Sequence, residues 1–245
     1  MRRSLIRSAM FTRFTNLRTD KLISSNLDTT ANELAGTVLK ELASLSRLDT
    51  PSVRAVRKRY SRLLRQEPGK FVYSFVLSLL EAGSWPARVV AWEVLATHRP
   101  AFESLSDREV EKMASGLDDW GSIDLFGVTV LGQAWREGLV SDKKIHAWTK
   151  SPDRWRRRLA LVATVPLNSK ARGGSGDSVR TLRVCGLLLD DRDDMVVKAL
   201  SWALRELAKQ EPAVVNEFIE LQEDRIAALV KREVRNKLST GKKTC

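Results

Sequence analysis

Apolar residues recur along this chain at intervals of three and four, with polar residues filling the other side of each turn. That is the helical period; no segment alternates apolar and polar residues with the period of two that a half-buried strand needs. Leu34, Val38, Leu42 and Leu45 mark a first helix, with Asp28 or Thr29 as its cap. Thr50 followed by Pro51 reads as an N-cap and a first helical residue, opening a helix to about Leu64. Pro68 to Ala82 is apolar nearly all round, which predicts a central, enclosed helix. Pro86 starts the next, closing near His98, and Ser106 with Glu109 makes a capping box before Val110 and Met113. Asp119 is placed to cap a helix through Val128 to Trp135. Ser141 opens one ending near Lys150, and Ser151-Pro152 opens another through Val165. Residues 168–178 (NSKARGGSGDS) are the one clear loop, expected to be flexible. Helices at about 179–189, 194–209 (capped by Asp193), 212–221 and 223–238 follow.

The predicted class is all-α. Helices of this length, joined by short turns and lacking heptads, predict stacked antiparallel pairs of the HEAT or armadillo kind. That gives a superhelical solenoid with a concave basic groove; a compact helical bundle is the alternative. The expected organisation is a basic N-terminal extension at 1–27, a helical-repeat domain at 28–238 and a basic tail at 239–245.

Charge changes the picture more than composition does. Lys and Arg number 42 against 30 Asp and Glu, a formal charge of +12, which favours polyanionic partners and nucleic acid above all. No apolar run reaches the length that spans a bilayer, so no membrane partner is expected and the chain reads as soluble and intracellular. The first nineteen residues hold five arginines and no acid. They fit an organelle transit peptide, a disordered basic arm or a start assigned too far upstream, and localisation is cytoplasmic unless the first reading holds. Cys185 reads as a buried small hydrophobe and Cys245 as terminal, so no disulfide scaffold is expected. His98 and His146 are far apart and lack cysteine partners, so neither a metal site nor a cofactor is expected.

The cations cluster. Arg54, Arg57, Lys58, Arg62 and Arg65 make much of one helix face basic, and 143–158 and the C-terminus add two more groups. A phosphate-tracking groove and a merely solvated face both fit such clusters, and three of them favour the groove. Trp120 and Asp124, four apart, share a helix face; a cationic substrate would be stabilised by both, while a core tryptophan with a salt-bridged aspartate is the plainer reading. Trp155, Arg156, Arg157 and Arg158 begin a helix whose dipole they oppose unless an anion is near. That anion is either a phosphate or a side chain such as Asp119, Asp124 or Asp153. Trp202, bracketed by Lys198 and Arg205, reads first as a core residue and second as a groove edge. There is no P-loop, no GxGxxG after a strand and no nucleophile elbow, so an enzyme here would work through carboxylates and aromatics.

Four motifs occur in order: W-x-x-x-D (Trp120, Asp124), RWRRR-L-A (154–160), KA-x-x-W-x-LRE (198–206) and KRE (231–233). With TPSVRAVRK (50–58) upstream, the chain resembles the AlkD-like DNA alkylation repair family over residues 30 to 238. The resemblance implies a HEAT-like solenoid on duplex DNA and excision of cationic alkylated purines, such as 3-methyladenine and 7-methylguanine, without a base-reading pocket. It implies a monomer, and a catalytic cleft at Trp120, Asp124 and Trp202 with Arg158 as a phosphate-binding arginine. Trp155, Arg156, Arg157, Lys198, Arg205, Arg54, Arg57 and Lys58 complete the expected DNA-binding set. Gly121 stands where the family often has an acid, and the N-terminal extension and the 168–178 loop depart from its pattern. A catalytically silent protein binding bent or branched nucleic acid, and a protein-interaction scaffold, are the competing readings.

Overall fold

The computed structural model describes residues 29–244, and among them there is no strand. The possible cap Asp28, the N-terminal extension and Cys245 lie outside the described residues. The chain is all-α and divides into two compact units, one ending at Ala101 and one beginning at Phe102.

The first unit comprises α1 (29–43), α2 (Thr50–Leu63) with a 3-10 turn to Gln66, α3 (Gly69–Glu81) and α4 (Trp85–Thr97). The short α5 (Arg99–Phe102) leads out of it. In α1 the buried stripe is Ala31, Ala35, Val38 and Leu42; Leu45 falls past the helix end. The cap of α2 is Asp49, whose Oδ1 accepts the Ser52 N–H at 3.0 Å, rather than Thr50. A carboxylate in extended backbone captures the free N–H groups first, and Pro51 then sits comfortably in the first turn. Within this unit the most enclosed helix is α4, not α3 as the apolar run predicts. It buries Ala87, Val89, Val90, Ala91, Trp92, Val94 and Leu95 because it packs on both α2 and α3. Helix α3 buries only Phe71, Val72, Phe75, Val76 and Leu79, one stripe of an apolar helix.

The second unit runs through α6 (Asp107–Ala114), α7 (Trp120–Phe126), α8 (Gly132–Arg136), α9 (Asp142–Thr149) and α10 (Arg154–Val162). It continues with α11 (Val165–Asn168), α12 (Ser178–Leu187), α13 (Asp194–Leu207), α14 (Pro212–Leu221) and α15 (Ala228–Thr240). Helices pack on others near them in the chain, two or three elements away as well as next in order, with α13 at the centre against α10, α12 and α15. The expected caps Ser106, Asp119, Ser141 and Asp193 all accept a backbone N–H of the following turn. The cap of α10 is Asp153, two residues beyond the expected Ser151, and α10 ends at Val162 with a break before α11. The last helix begins at Ala228 rather than 223, since 222–226 form turns.

The loop expected to be flexible is tied down. Asn168 is fully buried; its Nδ2 donates to the Thr164 carbonyl at 3.0 Å and to Thr181 Oγ1 at 2.9 Å. Its Oδ1 accepts the Asp177 N–H at 2.9 Å, so one side chain closes the loop on itself. Gly174 packs so tightly on Leu167 that a Cβ would lie 2.5 Å from its carbonyl. Cys185, on α12, is fully buried, and burial holds its thiol far above the ordinary range.

Candidate active site

Asp124 sits on α7, whose first turn is fixed by Asp119 Oδ1 accepting the Ser122 N–H at 2.8 Å. One wider, π-helical turn, Gly127–Leu131, follows and carries the helix into α8. Such turns cost hydrogen-bond geometry and occur often beside functional groups. The glycines bounding this turn permit a close approach to α10 and α11. A Cβ on Gly127 would meet Val162 at 2.7 Å, and one on Gly132 would meet the Ala163 carbonyl at 2.5 Å.

That approach brings Arg158 of α10 onto Asp124. Arg158 Nε donates to Oδ1 at 2.9 Å and its second terminal nitrogen donates to Oδ2 at 2.7 Å. The remaining arm donates to the Met195 carbonyl at 2.5 Å, at the start of α13. Arg158 is 6% exposed. A buried guanidinium is tolerated only with partners on its fork, and here one arginine ties α7, α10 and α13 together. Burial pushes the Asp124 carboxyl above the ordinary carboxylate value; the hydrogen bonds and charge of Arg158 pull against this, and the charge of Asp119 adds to it. Of the anions anticipated for the α10 arginines, Asp124 is therefore the one that meets Arg158.

Asp124 lines a cleft of about 310 Å³ with Val128, Thr129, Ser169, Arg172, Trp202 and Glu206. Trp202, on α13, is half-buried there. Trp120 is 62% exposed at the start of α7 and is not among the lining residues. The i, i+4 spacing with Asp124 puts the two on one side of the helix, but at its first residue the indole is left in solvent. Glu206, four residues after Trp202, is a lining residue the sequence reading missed. It is buried and its Oε2 accepts from Lys209 at 2.6 Å, which also lines the cleft. Its signal was legible: Trp202 and Glu206 repeat the spacing of Trp120 and Asp124.

Most of the other expected DNA contacts are already engaged within the protein. Arg156 pairs with Glu111 at 2.9 Å and lies 5.2 Å from the Trp148 ring. Arg157 donates to Asp191 at 2.6 Å and to the Ser151 and Pro152 carbonyls. Trp155, half-buried, has the Arg154 guanidinium 4.8 Å from its ring. Lys198 pairs with Asp194 at 2.6 Å, and Arg205 donates to Ser201 Oγ at 3.2 Å near Glu233. In the first unit Arg54 and Arg57 share Glu93 at 2.8 and 2.9 Å, while Lys58 is exposed. The positive charge of α10 is thus compensated by acids from neighbouring helices, which is how its arginines tolerate the helix N-terminus.

Among the described residues no group of three or more His, Cys, Asp or Glu is arranged to hold a metal ion, and no helix is long and apolar enough to cross a membrane. The cleft therefore presents two carboxylates, each held by its own cation, beside an indole. Comparison with known proteins gives one family: residues 25–238 match the family model described as DNA alkylation repair enzyme. No curated protein matches the chain.

Proposed function

Since the chain belongs to the family of DNA alkylation repair enzymes, we propose that it hydrolyses the N-glycosidic bond of cationic alkylated purines in duplex DNA. The observation that carries this reading is the carboxylate of Asp124, clamped by Arg158 and opening into the cleft that Trp202 lines. A purine alkylated at N3 or N7 bears positive charge, so it leaves without a general acid. As the bond from C1′ to the base breaks, its electron pair departs with the base, which becomes neutral, and the sugar takes on oxocarbenium character. Asp124 stabilises that charge and aligns a water, whose oxygen bonds to C1′ and whose proton passes to solvent. The indole face of Trp202 attracts the cationic base and sugar. A fixed carboxylate suits this chemistry because its orientation requires no rearrangement as charge develops. The substrates we assign are 3-methyladenine and 7-methylguanine, and the enzyme acts as a monomeric, monofunctional glycosylase.

The cleft volume lies at the bottom of the range of about 300–1,000 Å³ usual for ligand pockets. That supports action on a lesion held against the surface rather than a base swallowed in a deep pocket. In this reading the duplex is gripped by a concave face of HEAT-like pairs, and Arg158 acts chiefly by holding Asp124. The position of Trp120 in solvent supports a role for it only once DNA covers the cleft.

The test is release of 7-methylguanine from a methylated duplex by wild type and Asp124→Asn. We expect excision by wild type alone, with duplex affinity in the variant equal or higher because a negative charge is lost. A folded, DNA-binding wild type that releases no base would instead make this a silent binding protein, in which the Asp124–Arg158 pair is purely structural.

A further inference from the structure

The first unit carries a second cleft, of about 390 Å³, with the opposite chemistry. Lys58, Arg62 and Arg65 reach it from α2 and the 3-10 turn that extends it, with Ser61 between them. His98 and Arg99 enter from the end of α4 and the start of α5, and no carboxylate lines it. The basic stretch 54–65 is divided in two by the fold. Arg54 and Arg57 share the single carboxylate of Glu93, and Arg57 also lines the cleft, whereas Lys58, Arg62 and Arg65 form no ion pair with a described residue.

A solvated surface or a helix C-terminus is the simplest account of such cations. The helix dipole favours Arg62, in the last turn of α2, but its effect fades within that turn. It explains neither Lys58, a turn earlier, nor Arg99 arriving from a different helix. Like charges gathered around one concavity repel each other unless an anion joins them.

His98 is the second, independent observation. Its ring is 6% exposed, and Nδ1 accepts the Ala101 N–H at 3.2 Å. With its lone pair so engaged, the neutral ring carries its proton on Nε2. That Nε2 is buried and has no hydrogen-bond partner. A buried donor without an acceptor is unfavourable, and an oxygen supplied by an occupant of the cleft would relieve it.

We propose that this cleft is a phosphate-binding site. Lys58, Arg62 and Arg65 supply charge that no described residue pairs, Arg99 adds a cation that already has an interaction within the protein, and Ser61 and His98 supply neutral donors. A tetrahedral oxyanion with several acceptor oxygens suits this spread better than a planar carboxylate, which one arginine fork satisfies. The phosphate comes either from a nucleic-acid backbone or as a free or terminal phosphate. The proposal goes beyond base excision at Asp124 and does not depend on it.

The experiment uses the full chain labelled with nitrogen-15 and follows its histidine side chains. There are only two histidines, so His146→Gln assigns His98. Inorganic phosphate and a short unmodified duplex are titrated separately, and duplex affinity is measured by fluorescence anisotropy. The Nε2 signal of His98 should move with at least one of them. In Arg62→Ala/Arg65→Ala, two exposed positions, the movement should vanish and the dissociation constant of the responding ligand rise at least tenfold with unchanged far-ultraviolet circular dichroism. Movement with inorganic phosphate assigns a free or terminal phosphate, and movement with the duplex alone assigns the backbone. If His98 responds to neither, or the double variant binds the responding ligand as wild type does, the proposal is overturned. Wild-type release of 7-methylguanine is scored separately, so the two proposals fail independently.

Discussion

At the scale of the residue, the Asp124–Arg158 pair governs both stability and chemistry. Removing one partner of a buried pair strands the other, at a cost of about 3–5 kcal/mol, and Arg158→Ala should approach the lower figure because Asp124 keeps some contact with solvent. A thermal melt measures this. Arg158→Lys keeps the charge but loses the fork, so it should fold better than the alanine variant yet excise slowly. Protonation of Asp124 also sets a limit on activity. Its folded-state value is raised by burial, so the reactive carboxylate is lost, as pH falls, earlier than an ordinary carboxylate would be. The acid limb of a single-turnover pH profile should therefore lie above the ordinary carboxylate range; a limb within it would mean Arg158 outweighs burial. This pairing was only half legible in the sequence. Helical spacing can place Trp120 and Asp124 on one side, and α10 can be seen to need anions, but choosing among Asp119, Asp124 and Asp153 requires the 34-residue return of the chain.

At the scale of the element, glycine and asparagine fix what the helices alone leave open. Gly132→Ala would drive a methyl group into the Ala163 backbone, which has little freedom to yield. The expected loss is about 1–3 kcal/mol, the usual cost of overpacking, measured by urea denaturation. Excision should fall as well, because Gly132 ends the π-helical turn that follows α7 and Ala163 directly follows α10. Asn168→Ala would leave the Asp177 N–H and the Thr181 hydroxyl without their partner, costing about 1–3 kcal/mol and freeing the 169–177 loop to proteolysis. Helix existence, order and most caps were readable because each is a local property: a 3.6-residue period and an oxygen able to reach the next turn. The misses were those where two local candidates competed, as Asp49 beside Thr50, or where enclosure depends on partners. Helix α4 is enclosed because it has neighbours on two sides, and its own apolar residues, spread around the helix, were outweighed by the longer apolar run of α3.

At the scale of the whole molecule, 42 basic against 30 acidic side chains leave a surplus of 12 however the internal ion pairs are drawn. The affinity for duplex DNA should accordingly fall linearly in a plot of log K against log salt, with a slope of about −0.9 for each phosphate neutralised. Anisotropy across a salt series measures it, and a flat response would point to a protein partner instead. The fully buried Cys185 thiol has a further meaning for a protein of this family. Electrophiles that methylate DNA also attack thiolates, and the thiolate is the nucleophilic form. Sealed in the core and held protonated, Cys185 offers such reagents neither access nor charge. The Cys185 thiol is thus shielded from reagents of that kind, and it should take up label only when the fold is opened.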